Sequence, residues 1–442
     1  MNRARRTLPE AARRGWCPSL ARPMPTGDGL LARVHPPLGR LTGAQMRAVA
    51  EAARRHGNGH IDITARANLQ VRGLTSRSAP LLARDLAAVG LGDVRDDGGP
   101  QRLTLTHPLA GLDPGEQIDA DALARAVEAV GLTVTGLPAK TLVAIDGGGG
   151  FASAEADILL SAQGPGTVAF GLATDGDPMW FGDLPAIGVP GALGLALMVF
   201  AATARRRVRD LDDDERAQVA AAAGFLTVSA RPIATALSSP EPGIAALGAA
   251  AASIAVQAPF GRCTADSLAG AAGLMGTDPC CLTASRGLVL TAPRGAAADV
   301  RAALAALGFI VAADDPRRAV AACPGAPACA AGTTPVPDDA ARLAVAFAPF
   351  ARLGLTAHVS GCAKGCAHPG PADLTLVGIE GRYGVLAEGG PDGAPALRLG
   401  FEAALERVRR AAAAGPSRTA LREALRDRAT EQAAGQVAGQ MG

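Results

Sequence analysis

Two stretches of this chain repeat one another, and a duplicated sequence folds as two like units that leave a cleft where they meet. LLARVHPPLGRLTGAQMRAVAEAARRHGNGHIDITARANLQVRGL, from Leu30, matches SIAVQAPFGRCTADSLAGAAGLMGTDPCCLTASRGLVLTAP, from Ser253. Arg40 aligns with Arg262, Thr42 with Thr264, Ile63-Thr64 with Leu282-Thr283, and Leu69 with Leu288. In each copy an apolar strand passes through P-x-G-R to a helix. A strand of alternating character and a second helix follow, at Ala79–Val89 and Ala296–Leu307. The order is β-α-β plus α, at least half of a ferredoxin-like unit.

Four cysteines follow only the second copy. Cys323 and Cys329 in ACPGAPAC, then Cys362 and Cys366 in HVSGCAKGCAHP, give C-x5-C, a gap of 32 residues, and C-x3-C. A cubane cluster takes one thiolate on each of four irons, and two short loops brought together by a fold can supply them. Gly361 and Gly365 allow the backbone to come close, and Pro324 and Pro327 stiffen the first loop. The set is read as a 4Fe-4S ligand set. Zinc is the competing reading, although structural zinc favours gaps of two to four within a pair; unrelated buried thiols are a third. Cys17, Cys263, Cys280 and Cys281 show no metal spacing and are read as structural. His358 and His368 flank the second cysteine pair and suit hydrogen-bonding support better than catalysis.

The first copy carries polar groups that the second lacks. In Thr64-Ala65-Arg66-Ala67-Asn68-Leu69-Gln70, alternation would place Thr64, Arg66, Asn68 and Gln70 on one strand face, as donors to an anion or as a solvent-facing surface. Arg33 and Arg102 are isolated in apolar segments, where an unpaired charge is costly, and Lys140 closes a turn before a strand. The chain has two lysines, Lys140 and Lys364, against 41 arginines, which draws attention to both. Arg205–Arg207 reads as the solvated continuation of the apolar run Val189–Ala204, itself a buried helix too short to span a bilayer. G-x-G-x-x-A at Gly147, Gly149 and Ala152 lacks the helix that a dinucleotide site needs.

A length of 442 residues suggests about three compact units, a net charge of +2 says nothing of partners, and neither a nucleic-acid nor a membrane partner is expected. The arginine-containing start has no apolar stretch behind it, so the chain reads as cytoplasmic. The fold class is α+β. Its expected parts are a ferredoxin-like half-domain at 13–95, a mixed α/β domain at 96–225, a second half-domain at 226–312, a cluster-binding α/β domain at 313–400 and a helical tail at 401–442. The tail should break at Gly415-Pro416 and loosen from Gln432.

The duplication, T-x-R-x-N-x-Q, Arg33, Arg102, Lys140 and the two cysteine pairs resemble the siroheme sulfite and nitrite reductase superfamily. Within it, Arg13 to Pro36, HPLAGLDP, LPAK with DGGGG, and HVSGCAKGCAHP are similar to the precorrin-3B synthases of aerobic cobalamin biosynthesis. That resemblance implies a 4Fe-4S monooxygenase acting on precorrin-3A with dioxygen and an external NAD(P)H-linked electron donor. The product would carry a C20 hydroxyl and a γ-lactone. It implies that Arg33, Arg102 and Lys140 line the reacting face and that Arg66, Asn68 and Gln70 hold tetrapyrrole carboxylates. Cys366 would be a possible bridge from the cluster to a second iron, mononuclear or in siroheme. A second lysine of the reductases is replaced by Leu142, which favours the oxygenase over a siroheme nitrite or sulfite reductase. That reductase and a non-enzymatic four-cysteine carrier or zinc module stay open as alternatives.

Overall fold

The structure is a computed structural model that describes residues 16–149, 155–225, 240–368 and 370–426. Residues 1–15, Ala152 of the glycine-rich run and the tail from Gln432 lie outside them. The chain divides into two compact units. One comprises the segment up to Pro25 and Gly29–Ala312; the other comprises Thr26–Asp28 and the chain from Ala313.

The first copy contains β1 (Met24–Thr26), β2 (Gly29–Val34), β3 (Arg40–Leu41), α1 (Gly43–His56), β4 (His60–Ile63), β5 (Leu69–Leu74) and α2 (Ala79–Ala87). A mixed layer follows: β6 (Thr104–Thr106), α3 (Ala120–Gly131), β7 (Val143–Asp146), β8 (Ile158–Gly164), β9 (Thr167–Leu172), β10 (Met179–Pro185), α4 (Val189–Ala202) and α5 (Asp213–Ala222). The second copy has β11 (Gly243–Leu247), β12 (Ala251–Gln257), β13 (Arg262–Thr264), α6 (Ala265–Gly273), β14 (Cys280–Leu282), β15 (Gly287–Pro293) and α7 (Ala297–Ala306).

The two copies exchange a strand. Their sheets run β1-β2-β5-β4-β13 and β11-β12-β15-β14-β3, so each short strand after P-x-G-R leaves its own copy and closes the other's sheet. Arg262 pairs with Asp62 and Arg40 with Cys281, at equivalent registers. The crossing is built identically in both copies. Leu38 and Phe260 adopt left-handed backbone, with φ of 51° and 57°, in a tight turn opened by proline. Thr42 and Thr264 then cap α1 and α6 by accepting from the N–H groups of Gln45 and Ser267. Met46, Val49, Ala50 and Ala53 of α1 recur at helical spacing and are buried in the core shared by the copies.

The expected single strand from Thr64 to Gln70 is corrected. Thr64–Asn68 is a tight connection between β4 and β5. The Thr64 hydroxyl accepts from the N–H groups of Arg66 (3.3 Å) and Asn68 (3.2 Å), and Ala67 has φ 50°. A threonine that bonds to its own backbone in this way offers the chain a turn in place of a ladder. The second copy repeats it: Arg286 N–H donates to the Thr283 carbonyl and Gly287 N–H to the Thr283 hydroxyl.

The mixed sheet runs β10-β9-β8-β7-β6, parallel among β6, β7 and β8 and antiparallel beyond. α4 covers the apolar run as expected, buried at Leu193, Ala196, Leu197 and Phe200. Among the described residues no helix is long and apolar enough to cross a membrane.

The second unit contains β16 (Val320–Ala322), α8 (Val336–Ala351), β17 (Ala357–Ser360), β18 (Ala372–Ile379), β19 (Arg382–Gly389), β20 (Leu397–Leu399), α9 (Phe401–Ala413) and α10 (Arg418–Arg426). Its sheet, β16-β17-β18-β19-β20, repeats the mixed sheet's pattern of two parallel pairings followed by two antiparallel ones. The break between α9 and α10 falls at Gly415-Pro416, where proline cannot continue a helix. Tyr383, the one tyrosine, is buried and donates to Asp339 on α8 at 2.6 Å. His358 on β17 is fully buried, and neither ring nitrogen has a partner among the described residues.

Two predictions follow from this packing. A β-carbon at Gly287 would lie 1.9 Å from the Val256 carbonyl oxygen, so Gly287→Ala should lower stability by about 2 kcal/mol or more in urea denaturation. An unchanged midpoint would show that β12 and β15 are less tightly joined than described. Burial, then His368, hold the His358 pKa at about 4, below the ordinary 6.5. The unfolded chain therefore binds the extra proton first as pH falls. The stabilising contribution is complete above pH ~6.5 and is lost towards pH ~4, by roughly 3 kcal/mol. The difference in stability between the parent chain and His358→Phe, followed from pH 7 to 4, should shrink by that amount; a constant difference would contradict it.

Candidate functional site

In the first unit, six side chains read from the sequence are brought into one neighbourhood with three that were not. Arg33 on β2 stands opposite Gln70 on β5. With the Gln70 amide turned to satisfy its neighbours, its oxygen accepts from Arg33 Nε at 3.1 Å and Nη2 at 2.7 Å. The Cys17 thiol lies beside Arg33 and helps to hold its charge against the effect of burial. The equivalent cross-strand pair in the second copy is Ala255 with Val289, both buried in a small apolar cluster. The polar pair is thus specific to the first half.

Arg66, at the tip of the Thr64–Asn68 turn, donates through Nη2 to the Lys140 carbonyl at 2.8 Å. Arg102 is buried and grips the same turn from behind. Its Nη1 donates to the Ala67 carbonyl at 2.8 Å and the Pro36 carbonyl at 3.5 Å, and its Nη2 to the Arg66 carbonyl. Arg102 therefore fixes the turn that carries Arg66. Asn68 is buried beside it, while Lys140 is exposed. Leu142 packs into the apolar core and presents no polar group.

The electrostatics of this group are those of crowded cations. Burial holds the guanidinium of Arg66 down at about 10, helped by Arg207; burial does the same for Arg102, also about 10, against the pull of Glu128 and with the push of Arg66. Lys140 is lowered by loss of solvent and then by Arg66 and Arg207. His35, at the end of β2, is held well below the usual histidine range by burial and by Arg33, Arg102 and Arg66, so it is neutral near pH 7. None of Arg33, Arg66, Arg102 or Lys140 forms an ion pair with a carboxylate among the described residues. Three buried polar atoms here, His35 Nδ1, Asn68 Oδ1 and Arg102 Nε, have no partner among them either. Unpaired like charges and orphaned polar atoms gathered in one place suit an anionic ligand that supplies acceptors.

Sequence reading missed His35, Cys17 and Arg207. By spacing alone Cys17 reads as structural, yet it lies beside Arg33. Arg207 was assigned to a solvated run, yet its Nε donates to the buried Asp157 at 2.9 Å. No spacing marks either residue; only the fold brings them in.

In the second unit, Cys323 follows β16, and Cys362 and Cys366 follow β17. Gly361 N–H donates to Cys323 Sγ at 3.2 Å, and the Gly325 N–H also supports that sulfur. The loops are tied by Cys329 N–H to the Gly325 carbonyl (2.7 Å) and Thr333 N–H to the Gly361 carbonyl (3.0 Å). A β-carbon on Gly361 would lie 3.2 Å from the α-carbons of Gly325 and Gly332, so glycine sets how closely the loops approach. Loss of solvent, then Cys362, Cys323 and Cys329, raise the Cys366 thiol, with Lys364 pulling it back. Burial and then Cys329 and Cys362 raise Cys323 against the help of the two N–H groups. Cys323 and Cys366 thus both feel the charge of the neighbouring cysteines, and ionised thiolates gathered in this way call for a strongly positive centre. Among the described residues no three histidine, cysteine or carboxylate side chains converge on a point as a single chelated ion requires. Four thiolates are the donor set that an iron–sulfur cluster takes, one to each iron, and the Gly361 N–H at Cys323 Sγ is support of the kind its sulfurs accept, so the donor chemistry fits such a cluster.

The chain is similar to known proteins over most of its length. Residues 22–89 match the nitrite/sulfite reductase ferredoxin-like half domain. The solved structure of the NirA protein of Mycobacterium tuberculosis superposes with a TM-score of 0.64 over 90% of this chain and 84% of its own, at 21% identity, which shows a shared fold. A ferredoxin–nitrite reductase of Synechococcus elongatus is 37% identical over 141 residues, 30% of this chain and 27% of that protein. A precorrin-3B synthase of Sinorhizobium sp. is 36% identical over 416 residues, which is 90% of this chain and 88% of its own. The chain belongs to the precorrin-3B synthase family, within the nitrite and sulfite reductase superfamily, whose α+β fold of duplicated ferredoxin-like half-domains it shares.

Proposed function

We propose that the protein is an oxygen-dependent precorrin-3B synthase. It would convert precorrin-3A to precorrin-3B by C20 hydroxylation and γ-lactone formation, with reducing equivalents from an external NAD(P)H-linked donor. The observation that carries this reading is the unneutralised cationic group of Arg33, Arg66, Arg102 and Lys140 around a neutral His35, joined to full-length similarity to a precorrin-3B synthase. A precorrin carries acetate and propionate groups around its rim, and guanidinium forks pair with carboxylates in two-point, charge-assisted contacts. Arg33, Arg66 and Lys140 would take substrate carboxylates, with Gln70 orienting Arg33 and with Arg102 and Asn68 holding the turn that presents Arg66. A neutral His35 adds a hydrogen-bonding site without adding charge.

Cys323, Cys329, Cys362 and Cys366 would hold the 4Fe-4S cluster, with the N–H groups of Gly361 and Gly325 stabilising the Cys323 sulfur. Bound there, the cluster supplies single electrons. A second iron, mononuclear or in siroheme, would belong to the same site, with Cys366 among the residues that would hold it. A siroheme reductase is the second reading, favoured by the partial similarity to nitrite reductases.

Anaerobic purification followed by iron, zinc and acid-labile sulfide analysis should give iron and sulfide near equimolar. Addition of precorrin-3A, a reductant and dioxygen should give a product heavier by one oxygen atom. Siroheme bands with sulfite or nitrite reduction would favour the reductase, and zinc alone would overturn both. In Cys366→Ser, cluster content and turnover should be lost with the circular dichroism of the fold retained; full activity would remove the cluster from the reaction. Arg66→Ala should raise KM roughly tenfold or more, the worth of a charge-assisted hydrogen bond, and an unchanged KM would remove Arg66 from the site.

A further inference from the structure

Beyond the residues given roles above, one more cation faces the same group in the first unit. Arg207 follows two exposed arginines, yet its own side chain is only 16% exposed. Its Nε donates to Asp157 Oδ1 at 2.9 Å and its Nη2 to the Glu155 carbonyl at 2.6 Å. Its Nη1 has no partner among the described residues. Asp157 cannot turn away from this duty. Its side chain is fully buried, Oδ1 also accepts from Val208 N–H at 3.0 Å, and Oδ2 accepts from Leu142 N–H at 3.1 Å. One carboxylate therefore ties the Arg207 guanidinium to the segment after Lys140, whose carbonyl receives Arg66. Arg66 and Lys140 both sense the charge of Arg207.

We infer that Arg207 is a further ligand-binding cation of this site, aimed by the positioning residue Asp157, and that its Nη1 edge takes a carboxylate of a polycarboxylate ligand. A guanidinium clamped along one edge and open on the other has lost most of its freedom before a ligand arrives, so an added contact there orders little. Asp157 cancels one charge only. The remaining cations still require an anion, and Arg207 extends the surface over which a large ligand is held. The inference deepens the tetrapyrrole reading and relies on it for the ligand class alone.

The test uses the full chain and two probes: uroporphyrin, a stable tetrapyrrole polycarboxylate, followed by its absorbance, and citrate, followed by calorimetry. Arg207→Gln should weaken uroporphyrin binding about tenfold or more and flatten its dependence on salt. Arg207→Lys, which keeps the charge but not the fork, should recover part of that loss, and Arg205→Gln, in the neighbouring exposed ion-paired arginine, should bind like the parent. Asp157→Asn should weaken binding with less effect than Arg207→Gln. Should Arg207→Gln not fold, Arg207→Lys decides, with a severalfold loss expected. An unchanged Kd and salt slope in the Arg207 variants would overturn the inference. If the parent chain binds citrate in an Arg207-dependent way but not uroporphyrin, the tetrapyrrole reading fails and the inference stands. If it binds neither, the inference falls too.

Discussion

The exchange of β3 and β13 between the two copies is the constraint from which the first unit's architecture follows. A strand that must leave β2 and reach the other copy's sheet turns sharply at Pro36–Gly39, and the turn is possible because Leu38 and Gly39 take left-handed backbone. That exit places His35 at the end of β2 and points the Pro36 carbonyl at Arg102. The same guanidinium reaches the Arg66 and Ala67 carbonyls of the β4–β5 turn, so one buried arginine ties the crossing to the turn that presents Arg66. The second copy makes the same crossing and the same turn, but with Ala255, Val289 and Gly287 where the first has Arg33, Gln70 and Asn68. Backbone geometry is shared, and the side chains divide the labour.

The two units show opposite electrostatic problems, each solved locally. In the first, cations are pressed together with little carboxylate to offset them, and partial desolvation raises the cost of that crowding. In the second, burial and the neighbouring cysteines oppose ionisation of Cys323 and Cys366, with N–H groups of Gly361 and Gly325 as modest relief at Cys323. A folded chain tolerates such arrangements at a cost to its own stability when a ligand of the opposite sign repays it.

Much of this was legible in the sequence for identifiable reasons. The duplication showed because the P-x-G-R crossing and the capping threonines are local requirements met by particular residue types. The cysteine pairs stood out because thiol spacing is rarely accidental beside glycine and proline. The strand expected over Thr64–Gln70 failed because alternation records only which side chains are polar. It does not register a threonine hydroxyl competing for the backbone N–H groups of Arg66 and Asn68. Arg207 was obscured by its neighbours: three arginines in a row read as solvated, whereas Asp157, 50 residues earlier, selects one of them for burial. Cys17 comes beside Arg33 only in the fold and leaves no periodic trace in the sequence.

The strand exchange also governs the order in which this chain can be completed during synthesis. Residues 60–74 place β4 and β5 early, but the edge of their sheet is filled only when Arg262–Thr264 arrive, some 200 residues later. Until then β4 presents an open edge and Asp62 lacks its Arg262 partner. The second sheet faces the reverse situation, because its missing strand, Arg40–Leu41, has been waiting since the start. The nascent first copy is therefore a half-closed body whose last strand belongs to a part of the protein not yet made.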